Sequence, residues 1–183
     1  MAQEGEPSPR WLAALTRVGR FLVGLPRPVG LLLGISWIVM IWALSSSSFP
    51  PPQAAPSFVW ALTANLAHAP LFGLLTLLWV GALLPRSRDV LPAPGRAVLA
   101  ASFGIALVYG AVDEWHQSWT PGRNPSALDV LTDATGSLCV LWVVAALTDP
   151  AVPAGDRPGL VLSRLRLGLV ACVGVAVLGT LLD

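Results

Sequence analysis

The chain has 183 residues, of which 55% are hydrophobic and only 11% are charged, and its formal net charge is +1. Soluble domains carry about 25% charged residues, so this composition excludes a water-coated globule and favours a membrane protein. The small net charge gives no basis for nucleic-acid binding. We therefore expect an all-α polytopic membrane helical bundle.

The N-terminal region, residues 1–28, is predicted to form a cytoplasmic tail and a basic amphipathic helix. Its first ten residues are polar and acidic, which is not the pattern of a cleavable signal peptide. Arg10, Arg17 and Arg20 share one side of the helix that follows, and leucines occupy much of the rest. This pattern is typical of a helix on an anionic membrane surface, and a disordered basic tail is the alternative.

Five apolar runs follow and predict five transmembrane helices, at residues 29–44, about 68–84, 97–112, 127–147 and 167–182. Several are shorter than the ~20 residues that a bilayer usually requires. Pro70 is predicted to split the region 57–84 into an interfacial piece and a span. The Ser/Pro-rich segment 45–56 is predicted to be a flexible loop.

The positions of these predicted helices divide the chain into three parts. Residues 1–28 form the tail and amphipathic helix, residues 29–147 a four-helix membrane core, and residues 148–183 a cytoplasmic linker with the fifth transmembrane helix. We expect the fifth helix to be peripheral, because residues 167–182 carry no charge.

Ten of the eleven arginines fall on one side of a five-span topology, and Arg123 alone falls on the other. Arginine-rich loops face the cytoplasm. The sequence therefore predicts a multi-pass protein of the cell membrane, with its N-terminus in the cytoplasm and its C-terminus outside the cytoplasm.

One stretch, "YGAVDEWHQSWTPGRNPSALDVLTDATG" from Tyr109 to Gly136, holds four of the ten carboxylates. This topology places it at the outer leaflet, at the depth where His68 enters the membrane. At 100° per residue, the polar residues form one stripe on each of two consecutive helices. These stripes are Tyr109, Asp113, His116 and Gln117 on one helix, and Asp129, Thr132, Asp133 and Gly136 on the next.

The residue types in this stretch are those that polar binding sites and catalytic sites use. Histidine serves as a general acid or base, arginine binds phosphate bidentately, and a carboxylate orients a histidine or holds a divalent metal. The candidate catalytic residues are His68, Asp113, Glu114 and His116. The candidate substrate-binding residues are Tyr109, Gln117, Arg123, Asp129 and Asp133.

Each candidate also has a structural interpretation. Asp129 fits a capping box with Ser126, and Asp133 fits an ion pair with Arg123. His68 could begin a helix at the interface, His116 could lie in a solvated loop, and Asp113 with Glu114 could form an interfacial fringe. Four carboxylates exceed one fixed cation, which leaves protonation, a divalent metal of unknown identity or a cationic head group as ways to balance the charge.

The polar stretch resembles the VanZ-like family of membrane proteins. The resemblance rests on the spacing D-E-x-x-Q-x-x-x-P-x-R-x-x-x-x-x-D and on the upstream segment "NLAHAPLFGLL", in which His68 matches the histidine of the family. It covers about Ile35 to Leu147. Four positions depart from the family pattern: Asn65 replaces a common lysine, Phe72 a tyrosine, Asp133 an asparagine and Val140 a small residue.

The family is named for resistance to glycopeptide antibiotics, notably teicoplanin, and a kinship with enzymes acting on lipid head groups has been proposed. The resemblance therefore implies a protein that acts on or binds phosphate-linked lipids or lipid-linked envelope precursors. The alternative is a non-enzymatic scaffold or lipid-binding protein of the cell envelope. A transporter is disfavoured, because the sequence has no inverted repeat. The sequence leaves open whether the protein is an enzyme and what its oligomeric state is.

Overall fold

A computed structural model describes residues 9–47, 57–85, 92–121, 123 and 125–182. This part of the chain is all-helical and has no strand, which confirms the predicted fold class. Its six helices are α1 (Arg10–Gly24), α2 (Arg27–Ser45), α3 (Phe58–Leu83), α4 (Arg96–Gln117), α5 (Ala127–Thr148) and α6 (Arg157–Leu182).

Helices α2 to α6 are long and apolar enough to cross a membrane, so the described residues contain the five predicted spans. They have 19 to 26 residues, which corresponds to about 28–39 Å of helix at 1.5 Å per residue. Each is longer than the apolar run that predicted it. Helix α6 shows this most clearly, because it begins at Arg157 and not near residue 167.

Helix α3 continues through Pro70, so the prediction that this proline splits the region is wrong. Proline removes one backbone hydrogen bond, to the carbonyl four residues earlier, and transmembrane helices tolerate this loss. Two side chains of neighbouring helices also hold α3 just beyond the proline. The indole nitrogen of Trp37 donates to the carbonyl of Leu71 at 2.9 Å, and the hydroxyl of Ser137 donates to the carbonyl of Phe72 at 3.4 Å.

Helix α3 is the centre of the bundle, because it contacts each of the other five helices. Its contact with α5 is the closest. A Cβ atom added at Gly136 would lie 2.2 Å from the backbone oxygen of Ala69, and one added at Gly73 would lie 3.0 Å from a methyl of Val140. The absence of side chains at these two glycines therefore sets the distance between α3 and α5.

The chain alternates between two ends of the bundle. The end that holds the C-termini of α2 and α4 and the N-termini of α3 and α5 is called the α4–α5 end. Its apolar core joins α2, α3 and α4 through Ile41, Phe72, Leu75, Ala106 and Tyr109. The opposite end holds α1.

Helix α1 confirms the predicted N-terminal helix and packs against the bundle. Leu12 contacts buried residues of α5 and α6, and Val23 contacts buried residues of α3 and α5. Arg17 and Arg20 remain exposed on its other side. Residues 1–8 of the predicted tail lie outside the described residues.

Helix α6 packs on α3 and α5 but supplies no residue of the polar site described below, so its peripheral role stays a prediction. Val161 and Ala176 are completely buried. Asn65 of α3 donates a hydrogen bond to Thr180 at 3.2 Å. The small residues of α6 face the bundle, while its large apolar residues face outward.

The predicted serine-rich loop begins later than expected. Ser45 is the last residue of α2 and is buried, and Ser46 caps the helix. Residues 48–56 of the predicted loop lie outside the described residues.

Candidate functional site

A buried histidine–carboxylate pair joins α3 to α5. The Nδ1 atom of His68 lies 3.0 Å from Oδ1 of Asp133. Asp133 is completely buried, whereas the side chain of His68 is 14% exposed. The sequence predicted that these two residues lie at one depth, and the structure brings them into direct contact. When the imidazole is neutral and Asp133 is ionised, Nδ1–H of His68 donates a hydrogen bond to the carboxylate, and Nε2 keeps an available lone pair.

A glycine of α4 makes room for this pair. A Cβ atom added at Gly110 would lie 2.8 Å from Oδ2 of Asp133, so a larger residue there would displace the carboxylate. Gly110 lies three residues before Asp113 on the polar face of α4. Asp133 therefore sits in the contact between α3, α4 and α5.

Glu114 of α4 binds the first turn of α5. Its Oε2 atom accepts a hydrogen bond from the backbone nitrogen of Ser126 at 2.7 Å. Ser126 is the N-cap of α5, and its own hydroxyl accepts from the backbone nitrogen of Leu128 at 3.1 Å. The carboxylate of Glu114 thus satisfies a backbone donor at the point where α5 begins.

Gln117 holds the acidic pair of α4 in place. Its amide nitrogen donates to Oδ2 of Asp113 at 2.9 Å and to Oε1 of Glu114 at 3.1 Å. All three side chains are at least 94% buried. Asp113 and Glu114 therefore lie buried between helices, and the alternative that they form a fringe at the membrane interface is wrong.

Asp129 lies with His68 and Glu114. Each of the three residues has one potential metal-ligating atom, and these three atoms lie within 4.8 Å of one another. In the capping-box alternative, the side chain of Asp129 accepts from the backbone nitrogen of Ser126. Glu114 accepts that hydrogen bond instead, and Asp129 is placed at the cluster of α3, α4 and α5. We call His68, Asp113, Glu114, Asp129 and Asp133 the polar cluster.

A row of three rings lines the polar cluster towards α2. The centroids of His68 and Phe72 are 6.2 Å apart, and those of Phe72 and Tyr109 are 6.0 Å apart. The Tyr109 hydroxyl donates to the carbonyl of Ile38 at 2.8 Å. Tyr109 therefore ties α4 to α2 and contacts the cluster through Phe72.

The second histidine does not join the polar cluster. The ring of His116 stacks on Trp42 of α2 with centroids 3.7 Å apart. Its Nε2 atom lies 2.9 Å from the hydroxyl of Ser46. His116 is thus held against the end of α2, and it is the last-turn residue of α4 and not part of a solvated loop.

Arg123 also lies apart from the carboxylates. Its guanidinium donates to the carbonyl of Leu44 at 3.2 Å. Among the described residues it forms no ion pair, and Asp133, its partner in the structural alternative, pairs with His68 instead. The guanidinium of Arg123 is thus held at the C-terminal end of α2.

The polar cluster concentrates negative charge inside apolar helices. Four carboxylates are at least 94% buried, and His68 is the only basic side chain that the described residues place among them. Within a membrane span, such residues are costly unless they pair or bind a ligand. The arrangement provides an oriented imidazole and several carboxylate oxygens inside the bundle.

Sequence reasoning missed three contributors to the site: Gly110, the backbone nitrogen of Ser126, and the ring of Phe72. Gly110 carries a signal, because it falls on the polar stripe of α4 where a side chain would be expected. The Ser126 contact has no sequence signal, because a backbone donor is present in every residue except proline.

Comparison with models of protein families gives a match. A family model described as VanZ/LLP1 matches residues 29–148. No curated protein and no solved structure matches the chain. The matched region contains α3, α4, α5, all of α2 except its first two residues, and every residue of the polar cluster, and it covers more than half of the sequence. The chain therefore belongs to the VanZ/LLP1 family.

Proposed function

We propose that the protein binds a phosphate-linked lipid, such as a lipid-linked envelope precursor, and transfers or hydrolyses its head group. The pairing of His68 with Asp133 carries this proposal. A binding protein needs charge complementarity, but it does not need an imidazole whose second nitrogen is oriented by a buried carboxylate. That nitrogen is available either to accept a proton or to bind a metal ion.

The position of the cluster supports a lipid substrate. Asp133 lies six residues into α5, which is about 9 Å from the start of the helix at 1.5 Å per residue. An apolar cavity of about 550 Å³ lies between α1, α3, α5 and α6, and its lining includes Ala69, the residue that follows His68 in α3. A molecule with a polar head and a hydrocarbon tail matches both features.

Arg123 supports recognition of an anionic group. Its guanidinium uses one nitrogen on the carbonyl of Leu44 and has no carboxylate partner among the described residues. Because the planar guanidinium matches two phosphate oxygens, Arg123 is proposed to hold the phosphate at the edge of the cluster. The other substrate-binding candidates, Gln117 and Tyr109, would act through the groups that they position.

The α4–α5 end is proposed to face the outside of the cell. This orientation puts the arginine-rich end in the cytoplasm. Cysteine introduced at Ser47 should react with an external, membrane-impermeant reagent, whereas cysteine at Gly155 should not. The reverse pattern would place the polar cluster on the cytoplasmic side.

The functional test compares the lipids of cells that express wild-type protein, Arg123→Lys or Arg123→Ala. Mass spectrometry of extracted lipids should show a changed head group with the wild type and a loss of that change in both variants. Teicoplanin susceptibility should follow the lipid change. Arg166→Lys is the matched control, because Arg166 is exposed at the opposite end.

Two outcomes would count against this proposal. A fully active Arg123→Lys variant would remove the argument for bidentate phosphate binding. Lipid that co-purifies with the wild type in an unchanged form, with no altered species in the cells, would favour the non-enzymatic lipid-binding alternative.

A further inference from the structure

We propose that His68, Glu114 and Asp129 bind a divalent metal ion. This site would serve the proposed chemistry at a lipid phosphate, and in that sense it rests on the proposed function. The three residues come from α3, α4 and α5, and their ligand atoms already lie within 4.8 Å of one another. A bound metal holds nitrogen and oxygen ligands at about 2.0–2.2 Å, so small side-chain movements would complete the site.

The surrounding contacts orient these ligands as a metal site requires. Asp133 accepts from Nδ1 of His68 at 3.0 Å, which leaves Nε2 as the ring nitrogen that can bind a metal ion. Metal-binding histidines commonly donate their second nitrogen to a carboxylate in this manner. Glu114 is fixed by the backbone nitrogen of Ser126 and by the amide of Gln117.

The charge of the polar cluster provides a second, independent observation. One oxygen of Asp113 and one of Asp133 are buried and have no hydrogen-bond partner within the described part of the chain. Four buried carboxylates surround one imidazole, and Arg123 bonds to Leu44. A divalent cation would offset two of these charges, because a buried charge is tolerated when it is paired or coordinates a metal.

The donor set indicates the class of metal. One imidazole with two carboxylates is a mixed nitrogen and oxygen set, which suits Zn²⁺ or Mn²⁺ better than Ca²⁺ or Cu⁺. Three protein ligands leave at least one coordination position for water or a phosphate oxygen, as catalytic zinc sites do. This assigns His68 as a metal ligand, with Asp133 as its positioning residue.

The test uses full-length protein in detergent, stripped with a chelator and then titrated with Zn²⁺ or Mn²⁺. Metal content after desalting should reach one ion per wild-type chain. Glu114→Gln and Asp129→Asn keep the side-chain shape and should each weaken binding by at least about 10-fold, as should Asp133→Ala. Asp149→Asn is the matched control, because Asp149 is an exposed carboxylate at the opposite end, and it should bind as the wild type does.

Co²⁺ provides a direct readout of the nitrogen ligand. Its visible absorption should appear in the wild type and change in His68→Asn, with circular dichroism confirming that the variant is helical. If Glu114→Gln fails to fold because the cap of α5 is lost, Asp129→Asn gives the same test. Wild-type protein without saturable binding, or equal binding in Glu114→Gln and Asp129→Asn, would overturn the proposal.

The two proposals fail in different ways. A lipid change that persists after chelation, from protein that binds no metal, would overturn the metal site and leave the proposed function intact. Stoichiometric metal binding by a protein that changes no lipid and binds none would overturn the proposed function and leave the metal site.

Discussion

The two ends of the bundle hold their charges in different ways. At the α4–α5 end, carboxylates are buried and linked through His68, Gln117 and the backbone of Ser126. At the opposite end, Arg157 donates hydrogen bonds to the backbone carbonyls of Asp149 and Val152, which lie in the connection between α5 and α6. Arg164 donates to the carbonyl of Trp142 and lies 5.3 Å from the centre of its ring.

The two ends therefore differ in whether their charged side chains depend on contacts with other helices. Arginines near helix ends keep their charge close to water and spread their stems over apolar surface. Carboxylates inside the helices have no such route, so each depends on contacts with other helices. We therefore expect substitutions in the polar cluster to disturb the packing of several helices, and substitutions of the arginines to have local effects.

The largest effect is expected where α3 and α5 meet beneath the cluster. Gly136→Ala adds a Cβ atom 2.2 Å from the carbonyl oxygen of Ala69, and the helices must separate. Overpacking against backbone should lower the free energy of unfolding by about 3 kcal/mol, although alanine is the better helix former. Unfolding by SDS titration in mixed micelles measures this change.

The matched control for Gly136→Ala is Gly174→Ala in α6. A Cβ atom at Gly174 meets nothing within 4 Å, so helix propensity alone should act and stabilise the protein by up to about 1 kcal/mol. If both exchanges stabilise the protein, the close contact between α3 and α5 is absent from the folded protein.

An intermediate effect is expected for Asp133→Ala, which removes the partner of His68. A buried polar group left without its partner costs about 1–3 kcal/mol, so the free energy of unfolding should fall by about 2 kcal/mol. Asp133→Asn keeps an oxygen acceptor and should lose less. Asp149→Ala, an exposed substitution at the opposite end, should change stability by about 0.5 kcal/mol or less; equal losses at the two positions would contradict the contrast between the two ends.

The smallest effect is expected for His116→Ala. It removes a partly exposed hydrogen bond to Ser46 and a stacking contact with Trp42, and a net loss of about 0.5–1 kcal/mol is expected. Thermal unfolding in detergent measures this loss, and Ser46→Ala should reproduce part of it. A loss as large as that of Asp133→Ala would mean that His116 contributes to the polar cluster.

The sequence predicted the helices and the depth of the polar residues, because both depend on local patterns. Apolar runs predict spans, and the two stripes placed Asp113 and Asp133 on facing sides of α4 and α5. The course of α3 through Pro70 could not be predicted, since the rule for proline is local, whereas Trp37 and Ser137 fix the helix from neighbouring elements.

The partners within the site were harder to predict than its location. Charge counting paired Asp133 with Arg123, the only cation at that end, but the structure pairs Asp133 with His68. A histidine on a distant helix and an arginine on the adjacent loop are equally plausible partners when only depth is known. The choice depends on the rotation of α3 about its axis, which is set by packing against four other transmembrane helices.

The hydrogen bond from Ser126 to Glu114 has a consequence for how the chain enters the membrane. The backbone nitrogen that begins α5 has its acceptor on α4, twelve residues earlier. A chain that emerges from the ribosome only as far as α4 presents Glu114 without this donor. When α5 follows, the two helices can insert together as a hairpin that shields the carboxylate and the helix start at once. We expect α4 alone to insert less efficiently than the hairpin, since the carboxylate of Glu114 would then meet lipid.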